Sequence, residues 1–572
     1  MIASDQRSSR LGLLLLAPLT LWLATTFAIP MGTVGLLSVQ ANTSIFAPLS
    51  LDVTAQHLLT VLTDPYYLEV LAGTLWIGVQ VTLWSALLGV PIALWLSRVP
   101  PKWRSMAVAI VLIPLLTNVV VRSLGLLQAL APDAPLPGLL AFLTGQERVS
   151  LLFTDFAVIV ALVQVFSPFL IMAVYDSLTG IDRRVDEAAE SLGARPIARF
   201  WTVTLPLALP GLRAGATIVF LLATTAYVSA SLLGGKQVWV AGMVVYEEAL
   251  QILNYPSASA VAVVLMLICV AGTVLINRGF GLLLPWITNR PRRVPQAEPM
   301  GEAMTGVVET VGPWVGRALF VAGLVLLLFP LLLVVVNSVN DVPQATAGTW
   351  QGFTTRWYAM VLLEGSAYID SAIISARLAI TATVIALALS VPAAFALVRH
   401  SPADPDLLAS VYMLPLALPG IAFALGILKL LQIFVAIPPF WGLVMVHVVL
   451  ISPFTLAMLR TAVLNLDRAQ EEAAQSLGAG PIRTFTFITL PGLAPGLTAG
   501  GIIAFLISFG EVTVTAFLTT ARLQTLPVRI YADVQFDVLP TVNVVSTLLI
   551  VATIATLAIV NRVVPLERVW QR

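Results

Sequence analysis

Asp186-Glu187-Ala188-Ala189-Glu190-Ser191-Leu192-Gly193-Ala194 recurs as Glu471-Glu472-Ala473-Ala474-Gln475-Ser476-Leu477-Gly478-Ala479, 285 residues further on. Ser167-Pro168-Phe169 returns at Ser452-Pro453-Phe454, and Thr204-Leu205-Pro206 at Thr489-Leu490-Pro491, with the same offset. A repeat of this length means that one structural unit is written twice in the chain. Earlier in each half the offset is 301, since Val90-Pro91 and Arg98 align with Val391-Pro392 and Arg399. The difference of 16 places an insertion in the first half, most simply near 131–150.

The repeated stretch has a local logic. Asp182 and Asp467 are suited to cap a short helix, accepting from its exposed N–H groups and favouring its positive end. Glu187 and Glu472 fall inside that helix beside Ala188, Ala189, Ala473 and Ala474, whose short side chains let another surface come close. Gly193 and Gly478 suit the left-handed residue that closes a helix. Pro196 and Pro481 can begin a second helix. The sequence therefore predicts a stiff helix–turn–helix with an acidic, small-residue face and an apolar knob at Leu192 or Leu477. Such an object passes force to a partner better than it performs chemistry.

Composition sets this unit in a membrane. Of 572 residues, 59% are hydrophobic and 10% charged, with a mean hydropathy of +0.96; a soluble domain carries about 25% charged residues. Thirty basic and 29 acidic side chains balance to +1, which gives no footing for nucleic acid. One cysteine, Cys269, excludes a disulfide framework, and His57, His400 and His447 are too scattered for a metal cluster. Because only a helix satisfies its own backbone in hydrocarbon, runs of about 20 apolar residues mark crossings. They fall at 11–37, 68–97, 105–130, 151–175, 211–233 and 259–285, then at 316–336, 371–398, 406–435, 441–460, 497–519 and 542–563. The expected fold is an all-α polytopic membrane protein of about twelve transmembrane helices, as two homologous six-helix halves. The first run exceeds the ~7–15-residue core of a secretory signal and reads as a retained anchor. With the N-terminus inside, 22 Lys and Arg fall in cytoplasmic segments and 8 elsewhere, so both termini are expected in the cytoplasm. An even number of spans separates equivalent positions, so the halves run parallel about a pseudo-twofold along the membrane normal. The expected divisions are 1–287, a cytoplasmic linker at 288–315, and 316–572.

At this point a resemblance becomes specific. Glu-Ala-Ala, three residues, Gly, nine residues, an aliphatic residue, one residue, Leu-Pro is the coupling-loop pattern of binding-protein-dependent ABC importer permeases. Glu187-Ala188-Ala189, Gly193, Val203 and Leu205-Pro206 meet it, and Glu472-Ala473-Ala474, Gly478, Ile488 and Leu490-Pro491 meet it again. The first copy departs only in having Val203 where the family usually has isoleucine. The resemblance implies the type I importer permease fold, with both halves supplied by one chain. It implies that Glu187, Ala188, Ala189, Leu192 and Gly193, with Glu472, Ala473, Ala474, Leu477 and Gly478, dock into two copies of a cytoplasmic ABC ATPase. ATP and Mg would be held by those subunits, with no cofactor, metal or catalytic residue in this chain. No Gly-x-x-x-x-Gly-Lys-Ser/Thr loop is present: before Gly235-Lys236 the first glycine position is Ala230, and Gln237 replaces the hydroxyl. The other implied partners are a periplasmic or lipid-anchored solute-binding protein, a small-molecule substrate and membrane lipid, all at a bacterial inner membrane.

Shorter strings resemble the spermidine/putrescine-type branch. They are Asp64-Pro65-Tyr66-Tyr67-Leu68, Thr117-Asn118 with Arg122, and Leu232-Leu233-Gly234-Gly235 in the first half. In the second half they are Phe353-Thr354, Trp357-Tyr358, Leu414 to Gly420, and Ser508-Phe509-Gly510-Glu511. Because permeases for ferric iron and phosphonates share them, a polyamine-like cation is the expected solute, with ferric iron or an aminophosphonate as alternatives. Ionisable groups at membrane depth cost about 2.5–3.5 kcal/mol and so face a cavity or a partner. Glu511 on the eleventh span suits a cationic solute or a structural pair; Arg122 suits a carboxylate or an anion. Asn118, Tyr227, Ser229 and Ser508 either line the same path or bond helix to helix. His447 reads as a packed, hydrogen-bonded histidine. An ion-coupled secondary transporter would need no ATPase, and the duplicated loops argue against it.

Overall fold

The computed structural model describes residues 2–41, 52–146, 148–283, 302–345, 348–364, 366–400, 404–434, 436–537 and 539–563. Among them, eleven helices are long and apolar enough to cross a membrane. In each half the fourth span forms the core: Asp155–Thr179 and Pro439–Leu464 are both 72% buried over their apolar windows, whereas Val311–Asn337 is 28% buried. The second span, Pro65–Arg98 or Ser366–Arg399, and the fifth pack against this central helix. Pro168 and Pro453 lie within these central helices, which continue past them.

Two spans read as single runs are broken. The run 105–130 is Pro101–Leu116 followed by Val119–Leu130, separated by Thr117 and Asn118 in extended conformation. The run 406–435 divides into Pro405–Tyr412, Leu414–Ala417 and Gly420–Ile433, with the last break at Leu418-Pro419. Hydropathy misses such breaks because the residues on either side remain apolar. At the first of them the exposed helix start is capped, Asn118 Oδ1 accepting from Val120 N at 2.7 Å. The extra length of the first half appears as a separate helix, Pro135–Thr144, inside the expected insertion. Of the expected linker, 288–301 lies outside the described residues, and Glu302–Asn337 is one helix.

The fifth and eleventh spans also begin earlier than hydropathy indicates. Pro196–Arg199 passes through a π-helical turn, Phe200–Thr204, into Leu205–Thr224. Pro481–Thr484 does the same through Phe485–Thr489 into Leu490–Gly510. The second helix of each repeated loop is therefore the root of a membrane span. At the far end these spans stop at Thr224 and Gly510, short of the expected 233 and 519, so Glu511 stands one residue beyond its helix.

The halves exchange their first helices. Leu11–Leu37 packs on the second half, against Ser366–Arg399 and Gly420–Ile433, while Glu302–Asn337 packs on Pro65–Arg98 and Val119–Leu130. Two glycines allow it. A Cβ on Gly426 would lie 2.3 Å from the Pro30 carbonyl oxygen, and one on Gly125 would lie 2.1 Å from that of Pro330. Short antiparallel bridges, Gln40 with Val53 and Asn340 with Phe353, fold back after each exchanged helix at an offset of 300. We predict that Gly125→Val or Gly426→Val costs about 1–3 kcal/mol by overpacking, read as a lower thermal midpoint of the full chain in detergent. Gly73→Ala, inside a helix and with nothing within 4 Å of the added carbon, does not lower it, since alanine is the better helix former. Equal midpoints for all three would refute the exchanged packing.

Candidate functional site

Both repeated loops take the geometry their sequences dictate. Asp182 accepts from Arg184 N and Asp467 from Ala469 N, each at 2.9 Å, opening Arg183–Ser191 and Arg468–Ser476. Gly193 and Gly478 have φ of +82° and +88°, a region that costs a residue with a Cβ. Ala194 N donates to Ala189 O and Gly193 N to Glu190 O, and the same pair of bonds recurs at Ala479–Ala474 and Gly478–Gln475. This double closure satisfies the last carbonyls and reverses the chain within two residues. Leu192 and Leu477 stand 89% and 90% exposed at the tips. Glu187, Ala188, Glu472 and Ala473 are exposed beside them, with Ala189 and Ala474 half-buried beneath. The sequence-predicted coupling residues therefore form two matching surfaces, each an apolar knob beside a carboxylate.

How each surface is anchored differs. In the second loop Arg399 Nη1, at the end of Ser366–Arg399, donates to Glu471 Oε2 at 2.5 Å, and Thr489 Oγ1 donates to Oε1 at 2.6 Å. One carboxylate thus ties the loop to two spans. Burial pushes the Glu471 carboxyl up, but the hydrogen bonds from Arg399 and Thr489 and the charges of Arg399 and Arg468 hold it below its ordinary value. In the first loop the equivalent acid is the shorter Asp186, and Arg199 replaces Thr484. Arg199 takes Asp186 at 3.3 Å and Glu190 at 2.7 Å, bracing the loop against itself. Between that loop and the second span a cavity of ≈ 730 Å³ is lined by Arg98, Arg104, Asp186 and Glu190. Sequence reasoning passed over Asp186, Glu471, Arg199 and Arg399; the signal was an arginine ending the second span in both halves.

The six candidate pathway residues do not converge on one surface. Arg122 is buried, and its Nη1 donates to Val165 O at 3.0 Å. Ser229 Oγ bonds Ser123 Oγ at 2.9 Å. Ser508 Oγ meets His447 Nδ1 at 2.8 Å, while His447 Nε2 meets Thr515 Oγ1 at 3.0 Å, so this histidine is packed and bonded on both sides. The Glu511 carboxylate is taken up by its own turn, accepting from Val514 N and Thr515 N at 2.9 Å and from the Thr515 hydroxyl. Two of the six join the halves: Asn118 Nδ2 donates to Gly510 O at 2.8 Å, and the hydroxyls of Tyr227 and Tyr531 lie 2.8 Å apart. Tyr227 also stacks on Tyr246, with centroids 4.6 Å apart. Tyr246 and Tyr531 are repeat equivalents, at the offset of 285; neither was singled out from sequence, since a lone tyrosine after an apolar run carries no pattern.

Two homologous helical halves, each exposing a helix–turn–helix of the same geometry, define a duplicated polytopic membrane subunit. The chain matches the family described as binding-protein-dependent transport system inner membrane component twice, over residues 89–289 and 386–566. It belongs to that family, and is a fused, two-half permease subunit of a type I ABC importer, a multi-pass inner-membrane protein. The spermidine/putrescine transport system permease protein PotB of Haemophilus influenzae is 35% identical over 207 residues, 36% of this chain and 72% of the relative. PotB of Escherichia coli is 32% identical over 232 residues, 40% of this chain and 81% of the relative. PotC of Escherichia coli is 28% identical over 228 residues, 40% of this chain and 85% of the relative. A solved chain of a bacterial alginate ABC transporter aligns with 49% of this chain and 97% of its own length, at 16% identity and a TM-score of 0.40.

The unequal anchoring has a measurable consequence. Arg399→Ala should speed amide exchange in 468–476 on the order of fivefold, about 1 kcal/mol for a largely shielded pair, whereas Arg98→Ala leaves 183–191 unchanged. Because the folded Glu471 carboxyl is held low, its contribution is complete above the unfolded value of about 4.3 and is lost as pH falls through the folded one. Protection of 468–476 in the wild type, taken against the intrinsic exchange rate at each pH, should therefore fall only in acid. Equal responses of the two loops to their arginine substitutions would contradict the asymmetry.

Proposed function

We propose that this permease carries a small cationic solute of the polyamine type into the cytoplasm, with both termini and both levers on the cytoplasmic side. The observation that carries the coupling role is the pair of exposed acid-and-leucine surfaces, at Glu187 with Leu192 and at Glu472 with Leu477. Each surface suits a groove with apolar walls and basic side chains, one on each of two ATPase subunits that hold ATP and Mg. Hydrolysis belongs to those subunits, and the two repeats, each carrying the other's first helix, act as the moving halves. A separate solute-binding protein delivers the substrate to the opposite face. The substrate class is supported by the PotB and PotC relatives, whose names give spermidine and putrescine.

The cycle follows from the geometry. Each lever runs through a π-helical turn into a membrane span, so closure of the ATPase pair would pull both levers and tilt the fifth and eleventh spans together. The bonds that join the halves, Asn118 to Gly510 and Tyr227 to Tyr531, would be remade between inward- and outward-open states. The ATPases and the binding protein contribute differential binding energy, and the permease contributes two packings of similar free energy.

Glu187→Arg combined with Glu472→Arg should leave the chain inserted, since both side chains are exposed. It should reduce co-purification of the ATPase at least tenfold and abolish uptake in membrane vesicles, as like charges meet at both docking surfaces. Normal uptake by the double variant would refute the role assigned to the levers.

A further inference from the structure

On the face opposite the levers, where the fifth span has ended at Thr224 and the sixth has not begun, the chain makes an excursion of short helices, Val228–Gly234 and Ala241–Tyr246, followed by a π-helical turn, Glu247–Gln251. A cavity of ≈ 670 Å³ opens there. Its wall combines Tyr227, Tyr246 and Trp239 from the first half with Phe536 from the second, and Glu247 is the acidic residue among those lining it. Lys236 is the basic side chain at its edge. The polar groups of two rings are already taken: the Tyr227 hydroxyl bonds that of Tyr531, and Trp239 Nε1 donates to the Lys236 carbonyl at 3.1 Å.

Aromatic faces carry the negative lobe of a quadrupole and attract a cation, most strongly where water is thin. A carboxylate beside them adds a charge partner, and the volume exceeds that of a short alkyl diamine while falling within the range of small-molecule sites. We propose that this cavity is a binding site for an organic cation, an alkylammonium held over the Tyr246 and Trp239 rings with its charge on Glu247. Lys236 opposes the same charge and keeps the site weak, which suits a station that must release its cargo. The site also borders the second half through the turn Asp533–Asp537, so relative motion of the halves changes its shape. Repeat symmetry gives it no twin: Val512 stands where Tyr227 does. This assignment rests on the importer reading above and names the chemistry of one station along the path.

Putrescine is the probe, titrated calorimetrically against the full chain in zwitterionic nanodiscs, with 1,4-butanediol as the neutral counterpart. Putrescine should bind saturably and butanediol should not. Glu247→Gln should weaken binding on the order of tenfold, and Tyr246→Leu by a similar factor, while Tyr246→Phe keeps the ring and the affinity. Lys236→Gln should tighten binding severalfold, an outcome that misfolding cannot imitate. Absence of saturable binding by the wild type, affinities unchanged across the series, or the reversed signs expected of an anion site would each overturn the assignment. The importer reading is tested separately by stimulation of ATP turnover when a solute-binding protein is added to the complete complex. That stimulation without putrescine binding would sink the cavity proposal alone.

Discussion

In hydrocarbon an unbonded peptide N–H or C=O costs several kcal/mol, and this chain breaks its helices repeatedly at membrane depth or close to it. Every other feature depends on how those breaks are satisfied. At Thr117-Asn118 the new helix is capped by the Asn118 side chain, whose amide also reaches Gly510 in the other half. After Gly510 the same task falls to Glu511, which closes the turn at Val514 and Thr515. Two of the polar groups that sequence suggests for a path, Asn118 and Glu511, are therefore first of all groups that let helices stop. The break between Thr224 and Val228 instead leaves aromatic faces and Glu247 beside open space, and there chemistry toward a ligand becomes available.

Two copies of one unit need not remain mechanically equal. Arg399, Glu471 and Thr489 join the second lever to the second and eleventh spans, whereas the change to Asp186 shortens the acid by one methylene and Arg199 captures it locally. The consequence is geometric. The second lever is tied to its half at two side-chain points, whereas the root of the first, Pro196–Arg199, packs on Glu302–Asn337. A fused chain permits this drift, because both halves are inherited together and a change in one is always met by the same partner.

The parts of this architecture that sequence disclosed are those whose causes are local. The Asp182 and Asp467 caps, the left-handed Gly193 and Gly478, and the exposed leucines depend on residues within one turn of each other, and the repeat shows them twice. Crossing number is nearly as legible, because twenty apolar residues in water have few other fates. The breaks at 117–118 and 418–419 escaped because a two-residue extended segment hardly alters mean hydropathy. The exchange of first helices escaped because Gly125 with Pro330 and Gly426 with Pro30 are contacts between residues hundreds of positions apart. The Arg399–Glu471 tie spans 72 residues and looks, in one dimension, like a basic span end and an acidic loop with no reason to meet.

The lever and the outer cavity of the first half are ends of one continuous object. Pro196–Thr224 is 29 residues of helix, about 43 Å at 1.5 Å per residue, enough to cross the bilayer with some tilt. Its lower end is the root of the first lever, and Tyr227 stands three residues beyond its upper end. A helix resists bending far better than a loop, so displacement at Pro196 is delivered across the membrane to the wall of the aromatic cavity. The eleventh span has Val512 in place of Tyr227, so displacement on that side meets no equivalent ring. A pull on the first lever is thus the one that reaches the aromatic wall directly, even when both levers move together.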